Sequence, residues 1–237
     1  MEKKLEQLKG IMAEVADLTT TAAVLEWDAQ VKMPPGGAEG RSFQLGTIQK
    51  LAHKTFTSPE IGRLLDELQP YAEGLDPDSD DARLLRVTRR LYDMQVRVPS
   101  KMVEEFAQLI SLGYHAWEQA RAENDFPRFQ PTLEKIIDNR RRYAELFAPY
   151  DHVYDPLLNI YEPGMKTREV QSIFTALRPQ QVALVQAIGK RPQVDDSFLH
   201  LAFDDQAQWD FGVQVISQFG YDWKRGLQDK SVHPFTI

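Results

Sequence analysis

The stretch Leu25-Glu26-Trp27-Asp28, running through Gln30 to Met33-Pro34-Pro35-Gly36-Gly37-Ala38-Glu39-Gly40-Arg41, decides how this chain is organised. Two adjacent prolines remove two amide donors and two glycines favour a turn, so the Pro-Pro-Gly-Gly centre reads as a break in any helix. On its N-terminal side Leu5, Leu8, Met12, Val15, Leu18, Ala22 and Leu25 recur at spacings of three and four. On its C-terminal side Leu45, Ile48, Ala52 and Phe56 do the same. Two amphipathic helices therefore meet at a rigid corner, with Trp27 as a core anchor and Asp28 as a solvated or capping group.

Outward from the corner the same punctuation repeats. Ser58-Pro59-Glu60 reads as an N-cap, a first-turn proline and a first-turn acid, opening a short helix through Leu64, Leu65 and Leu68 that Pro70 ends. The acidic loop Gly74–Asp81 leads into a helix carrying Leu84, Val87, Leu91 and Met94. Beyond Pro99-Ser100, the residues Val103, Phe106, Ile110, Tyr114 and Trp117 share one stripe. Pro131 opens a helix with Leu133, Ile136, Ile137, Tyr143 and Phe147 directed inward, limited by Pro149. Asp155-Pro156 starts another, and Val170, Ile173, Phe174, Leu177, Leu184 and Ile188 define a long helix bent at Pro179. Asp204-Asp205 opens a last helix that Gly220 closes in the left-handed conformation. Tyr221-Asp222-Trp223 and Ser231–Ile237 have the aromatic and β-branched content of short strands. The fold class is all-α, a multi-helix elongated arrangement of about eight to ten helices with proline-marked corners and a small β remnant at the C-terminus.

Bulk properties narrow the function. With 237 residues, 42% of them hydrophobic, the chain can bury a core, and a formal net charge of −7 argues against a nucleic-acid surface. The one compact basic run, Arg140-Arg141-Arg142, reads as a solvated helix face paired with Glu134, Asp138 or Glu145. No cysteine is present, which excludes disulfides, thiolate metal sites and cysteine nucleophiles and fits a reducing cytoplasm. The N-terminus lacks a signal-peptide core, and no run approaches the roughly 18–20 apolar residues of a membrane span.

Candidate chemistry is sparse. The histidines are His53, His115, His152, His200 and His233, and none is spaced with another to hold a metal on one helix face. His115-Ala116-Trp117-Glu118-Gln119 lacks the adjacent Glu and second His of a zinc-peptidase helix. His53, near a helix end, suits the negative pole of the helix dipole. Asp195-Asp196 and Asp204-Asp205 read as caps, and no phosphate loop or nucleophile elbow is present. His233-Pro234-Phe235 is the remaining candidate; read from its residues alone, it is a turn in which proline fixes the backbone and Phe235 packs.

Trp27-Asp28 followed by Met33–Arg41 resembles the N-terminal signature of the carboxypeptidase Taq family of zinc metallocarboxypeptidases. Asp155–Leu158 with Tyr161–Met165 is similar to a second family segment, and Asp229–Thr236 to the motif built on His-Pro-Phe. Leu227-Gln228-Asp229 departs from the family's Arg-Leu-Asp. The resemblance implies a mostly helical fold with a deep groove, a homodimer, and metal-dependent removal of C-terminal residues from peptides. In the family, the His-Glu-x-x-His helix and the remaining zinc ligand follow His-Pro-Phe. Residues 1–237 are accordingly expected to be a single helical domain equivalent to the N-terminal half, with the catalytic half absent. On that reading the chain binds no cofactor by itself, zinc or another divalent metal belongs to the full-length family, and a separate C-terminal half or a second copy is the expected partner. His233, Pro234, Phe235 and, more weakly, Asp229 are expected to line the substrate groove, with no catalytic step assigned. The competing class is a non-enzymatic helical interaction module.

Overall fold

The computed structural model describes residues 1–237 and holds nine α-helices joined by turns and short 3-10 segments, with no strand. They are α1 (Glu2–Val31), α2 (Ala38–Phe56), α3 (Pro59–Glu73), α4 (Asp80–Gln95), α5 (Ser100–Glu123), α6 (Phe126–Glu145), α7 (Asp155–Tyr161), α8 (Thr167–Gly189) and α9 (Asp205–Gln218). The chain divides into two compact units, one of residues 1–161 with 231–237 and one of residues 162–230.

In the first unit α2 packs against both α1 and α5, α5 against α6, and α3 against α4 and α1. The corner between α1 and α2 holds a single 3-10 turn, Pro35–Gly37, and α2 begins directly after it. The main core joins Leu5 and Leu8 of α1 to Phe56, Ile61, Leu64, Leu65, Leu68 and Leu85. Leu8, Ile61 and Leu68 are completely buried. Burial of aliphatic groups on this scale is the main drive for folding, about 1.5–3 kcal/mol for each fully buried large side chain. A second cluster, Val98, Met102 and Tyr143, fastens the start of α5 to α6.

Several boundaries differ from the sequence expectation. α3 runs through Pro70 to Glu73, and α6 starts at Phe126 with Pro127 in its first turn and Pro131 inside. Pro127 falls among the first amides, which lack partners in any helix, and Pro70 in the last turn, whereas Pro131, the sixth residue of α6, gives up one ladder bond. The inward stripe of α4 is Ala82, Leu85 and Thr88, while Val87 is exposed. Ile137 of α6 likewise faces outward. Asn124 closes α5 in the left-handed conformation with φ 57°, a role its short polar side chain tolerates.

The second unit contains α8 and α9. α8 continues without interruption through Pro179, and Asp204 caps α9 by accepting from the Ala207 amide at 2.9 Å. Gly220 ends α9 with φ 86°, as its position predicts. The apolar stripe of α8 is not a core face: Phe174 is 63% and Val185 65% exposed. No residue of α8 or α9 is fully buried.

The strands expected at Tyr221–Trp223 and Ser231–Ile237 do not form. Strand propensity expresses packing on a sheet, and no second strand is available to supply one. Tyr221 and Trp223 meet edge to face at 4.8 Å, and Trp223 Nε1 donates to Ser217 Oγ at 2.8 Å.

Candidate groove wall on helix α5

The apolar stripe of α5 faces a cavity. A hollow of about 350 Å³ opens among α1, α2 and α5, lined by Glu26 and Gln30, by Leu45 and Gln49, and by Phe106, Ile110, Ser111, Tyr114 and His115. Ile110 is 43% exposed for that reason. The corner sequence positions this wall: Arg41, one turn into α2, pairs with Asp28 at 2.6 Å and donates to the Leu25 carbonyl at 2.7 Å. The end of α1 is thereby tied to the start of α2. Asp28, expected as a solvated or capping group, is instead ion-paired, and Trp27 is only half-buried.

Glu26 stands at the rim, and partial burial pushes its carboxyl above the ordinary value. Burial also pushes the Tyr114 hydroxyl up; the Glu118 charge adds to this and the His233 backbone amide opposes it. Tyr114 and Trp117 lie one helical turn apart, with ring centroids at 5.6 Å. His233 meets Trp117 edge to face at 6.2 Å, so α5 carries the aromatic shelf on which the His-Pro-Phe segment rests.

Of the groove residues expected from sequence, His233 and Pro234 are exposed and Phe235 is half-buried, all on the first unit. The Ser231 hydroxyl donates to the His233 carbonyl at 2.7 Å. Asp229 belongs to the second unit, where its carboxylate accepts from the Lys230 amide at 2.8 Å. Asp204 accepts from the Ala207 amide, as expected of a cap, whereas Asp195 accepts from the Ser197 amide within a turn and Asp196, at the N-cap of its 3-10 segment, makes no side-chain cap bond.

His53 lies in the last turn of α2 as expected, but it and Arg140 make contacts that their local sequence does not announce. His53 is buried, with Nδ1 3.0 Å from Ser100 Oγ and Nε2 3.0 Å from the Gln95 carbonyl, joining α2 to the α4–α5 junction. Burial lowers its pKa, and the Gln95 carbonyl opposes the shift. Arg140 does not lie on a solvated face: its guanidinium sits 3.5 Å from the Phe106 ring centroid. Its spacing from Ile136 and Tyr143 was the available signal, since all three fall on one face of α6. Arg142, one of its neighbours, pairs across to Glu105 on α5 at 3.5 Å.

No group of three or more His, Asp or Glu side chains is placed to hold a metal ion. No helix is long and apolar enough to cross a membrane.

The family model for carboxypeptidase Taq (M32) metallopeptidases matches residues 7–237. This chain belongs to that family. It is 34% identical to thermostable carboxypeptidase 1 of Thermus thermophilus over its full length, covering 48% of that protein. It is 27% identical to carboxypeptidase 1 of Bacillus subtilis, covering 45%. Among solved structures, the crystal structure of BsuCP matches with a TM-score of 0.91 at 25% identity, over 98% of this chain and 47% of that one. The M32 carboxypeptidase of Deinococcus radiodurans matches with a TM-score of 0.74 at 34% identity, over 98% and 46%. The M32 chain described here thus spans about half the length of the curated relatives it matches.

Proposed function

We propose that these 237 residues supply the scaffold and part of the substrate groove of a metal-dependent carboxypeptidase that removes C-terminal residues from peptides. The observation that carries this reading is the match of the M32 family across residues 7–237. A divalent metal in such enzymes activates water and polarises the scissile carbonyl, which needs about three protein ligands and an open position. The present residues bring no such set together. Hydrolysis therefore requires ligands from outside residues 1–237, and the chain alone is inactive.

On this reading His233, Pro234 and Phe235 line the peptide groove, with the α5 shelf of Tyr114 and Trp117 holding His233 in place. They position substrate and perform no proton transfer. The exposed apolar stripe of α8 supports a missing partner surface, since Ile173, Phe174, Val185 and Ile188 are all more than half exposed. A C-terminal half equivalent to the remainder of the relatives covers it, and the assembled enzyme acts as a homodimer in a reducing cytoplasm.

Mass spectrometry of C-terminal ladders from a test peptide, in the presence of zinc, decides the matter. Trimming is expected when the chain is co-expressed with the second half of the Thermus thermophilus relative, and not with the chain alone. Trimming by the chain alone, abolished by a chelator, overturns the reading.

A further inference from the structure

A second hollow of about 220 Å³, at the junction of α4, α5 and α6, carries charge of one sign only. Arg90 of α4 and Arg140 of α6 line it, and no Asp or Glu does. Several other arginines of the first unit meet carboxylates: Arg41 with Asp28, Arg83 with Asp78, Arg89 with Asp66 and Arg142 with Glu105. Acids outnumber bases in this chain by 35 to 28, so two guanidiniums sharing a hollow without a carboxylate run against its composition.

Both guanidiniums have donors left over. Arg140 is stacked over Phe106, and its Nη2 donates to Asn139 Oδ1 at 2.7 Å, yet its Nε is buried without an acceptor. Arg90 Nη1 is also buried without one. A buried N–H of a cation costs free energy unless something accepts from it, and two like charges in a hollow of low dielectric raise that cost. One anion relieves both. The Phe106 stack, shared with Tyr143 at 5.2 Å, fixes the plane of Arg140 in advance, so little side-chain freedom is lost on binding.

The remaining wall selects among anions. Apart from Gln95 and the Tyr143 hydroxyl that wall is apolar, with Met94, Val98, Met102 and Ile160, which suits a carboxylate attached to carbon better than a multiply charged tetrahedral oxyanion needing several more donors. The volume lies below the roughly 300–1,000 Å³ of sites for drug-sized ligands, so the attached group is short. We infer that this hollow binds a small carboxylate bearing a short branched apolar group, its oxygens accepting from Arg90 Nη1 and Arg140 Nε and its hydrocarbon lying against Met94, Val98 and Met102. The hollow shares Val103 and Phe106 with the cavity among α1, α2 and α5, but neither arginine lines that cavity, and the inference does not depend on the peptidase reading.

Isothermal titration calorimetry of the whole chain with 3-methylbutanoate, 3-methylbutanamide and inorganic phosphate tests this. Saturable binding of the carboxylate is expected, with the neutral amide and the phosphate each at least about tenfold weaker. Arg90→Gln should weaken the carboxylate by about tenfold or more while leaving the thermal transition in place, because Arg90 Nη1 has no protein acceptor to lose. Arg89→Gln, whose guanidinium pairs with Asp66, should leave the affinity unchanged. Equal binding of the amide would show that the hollow selects shape alone, and tighter phosphate binding would show a different ligand class. Either result, an absence of carboxylate binding, or an unaltered affinity in Arg90→Gln overturns the assignment.

Discussion

Arg41 Nη1 lies 2.6 Å from Asp28 Oδ2 and donates to the Leu25 carbonyl at 2.7 Å, across the Pro34-Pro35-Gly36-Gly37 corner. The pair is partly buried, so truncating Arg41 leaves Asp28 and a carbonyl without their cation. Arg41→Met is expected to destabilise the chain by about 1–3 kcal/mol. Asp28→Asn, which keeps the shape and a hydrogen-bonding oxygen, should cost less than Arg41→Met. Urea denaturation of the two variants checks the order; equal stability of wild type and Arg41→Met would remove the corner pair from the account.

His53 makes stability depend on pH. Its folded pKa is depressed by burial below the ordinary 6.5, so the fold favours the neutral ring. That contribution is fully present above the unfolded value and is lost as pH falls through it toward the lower folded pKa. The midpoint of urea unfolding should therefore drop more steeply below pH 6.5 in the wild type than in His53→Gln. Parallel pH profiles would contradict this. At neutral pH His53→Ala should cost about 1–3 kcal/mol, because Ser100 and the Gln95 carbonyl both lose a partner.

Gly62 of α3 is close to Tyr92 of α4: a methyl group at Gly62 would stand 2.5 Å from the Tyr92 hydroxyl. Tyr92 is held edge to face on Phe56 at 6.4 Å, so it cannot retreat without disturbing the main core. Despite the gain in helix propensity, Gly62→Ala is expected to destabilise by about 1–3 kcal/mol. An increase in the unfolding midpoint would show that α3 and α4 have more room than the packing indicates.

The two kinds of apolar stripe should respond differently to substitution. Leu64→Ala, in the α3 core, is expected to cost about 2–5 kcal/mol. Phe174→Ser and Val185→Ser on exposed α8 should change the stability of the chain by no more than about 0.5 kcal/mol. Both α8 variants should nevertheless reduce co-purification with the second half of the Thermus thermophilus relative. A large loss of stability in Phe174→Ser would mean that the α8 face is already covered.

Most helices were legible because apolar spacing and proline punctuation agree, as at Ser58-Pro59-Glu60 and Asp204-Asp205. Periodicity identifies an apolar face but not what that face meets. The stripes of α5 and α8 are therefore legible as apolar faces, but their spacing does not show that Ile110 opens onto a cavity and Phe174 onto solvent. Long-range polar contacts were the least legible. Nothing local links His53 to Ser100, 47 positions away, or places Arg140 over Phe106. The C-terminal aromatic and β-branched residues gave a strand signal because strand propensity records a preference for a pleated neighbour without showing that one exists. The family resemblance, by contrast, rested on three separated motifs in order, and the family match covers all of them.

On the proposed function, residues 1–237 form carboxypeptidase scaffold and the metal ligands come from elsewhere. The most direct test is the zinc content of the purified chain after dialysis against buffered zinc, measured by inductively coupled plasma mass spectrometry. The account predicts no stoichiometric retention. Zinc held stoichiometrically, and lost when histidines of this chain are substituted, would contradict it.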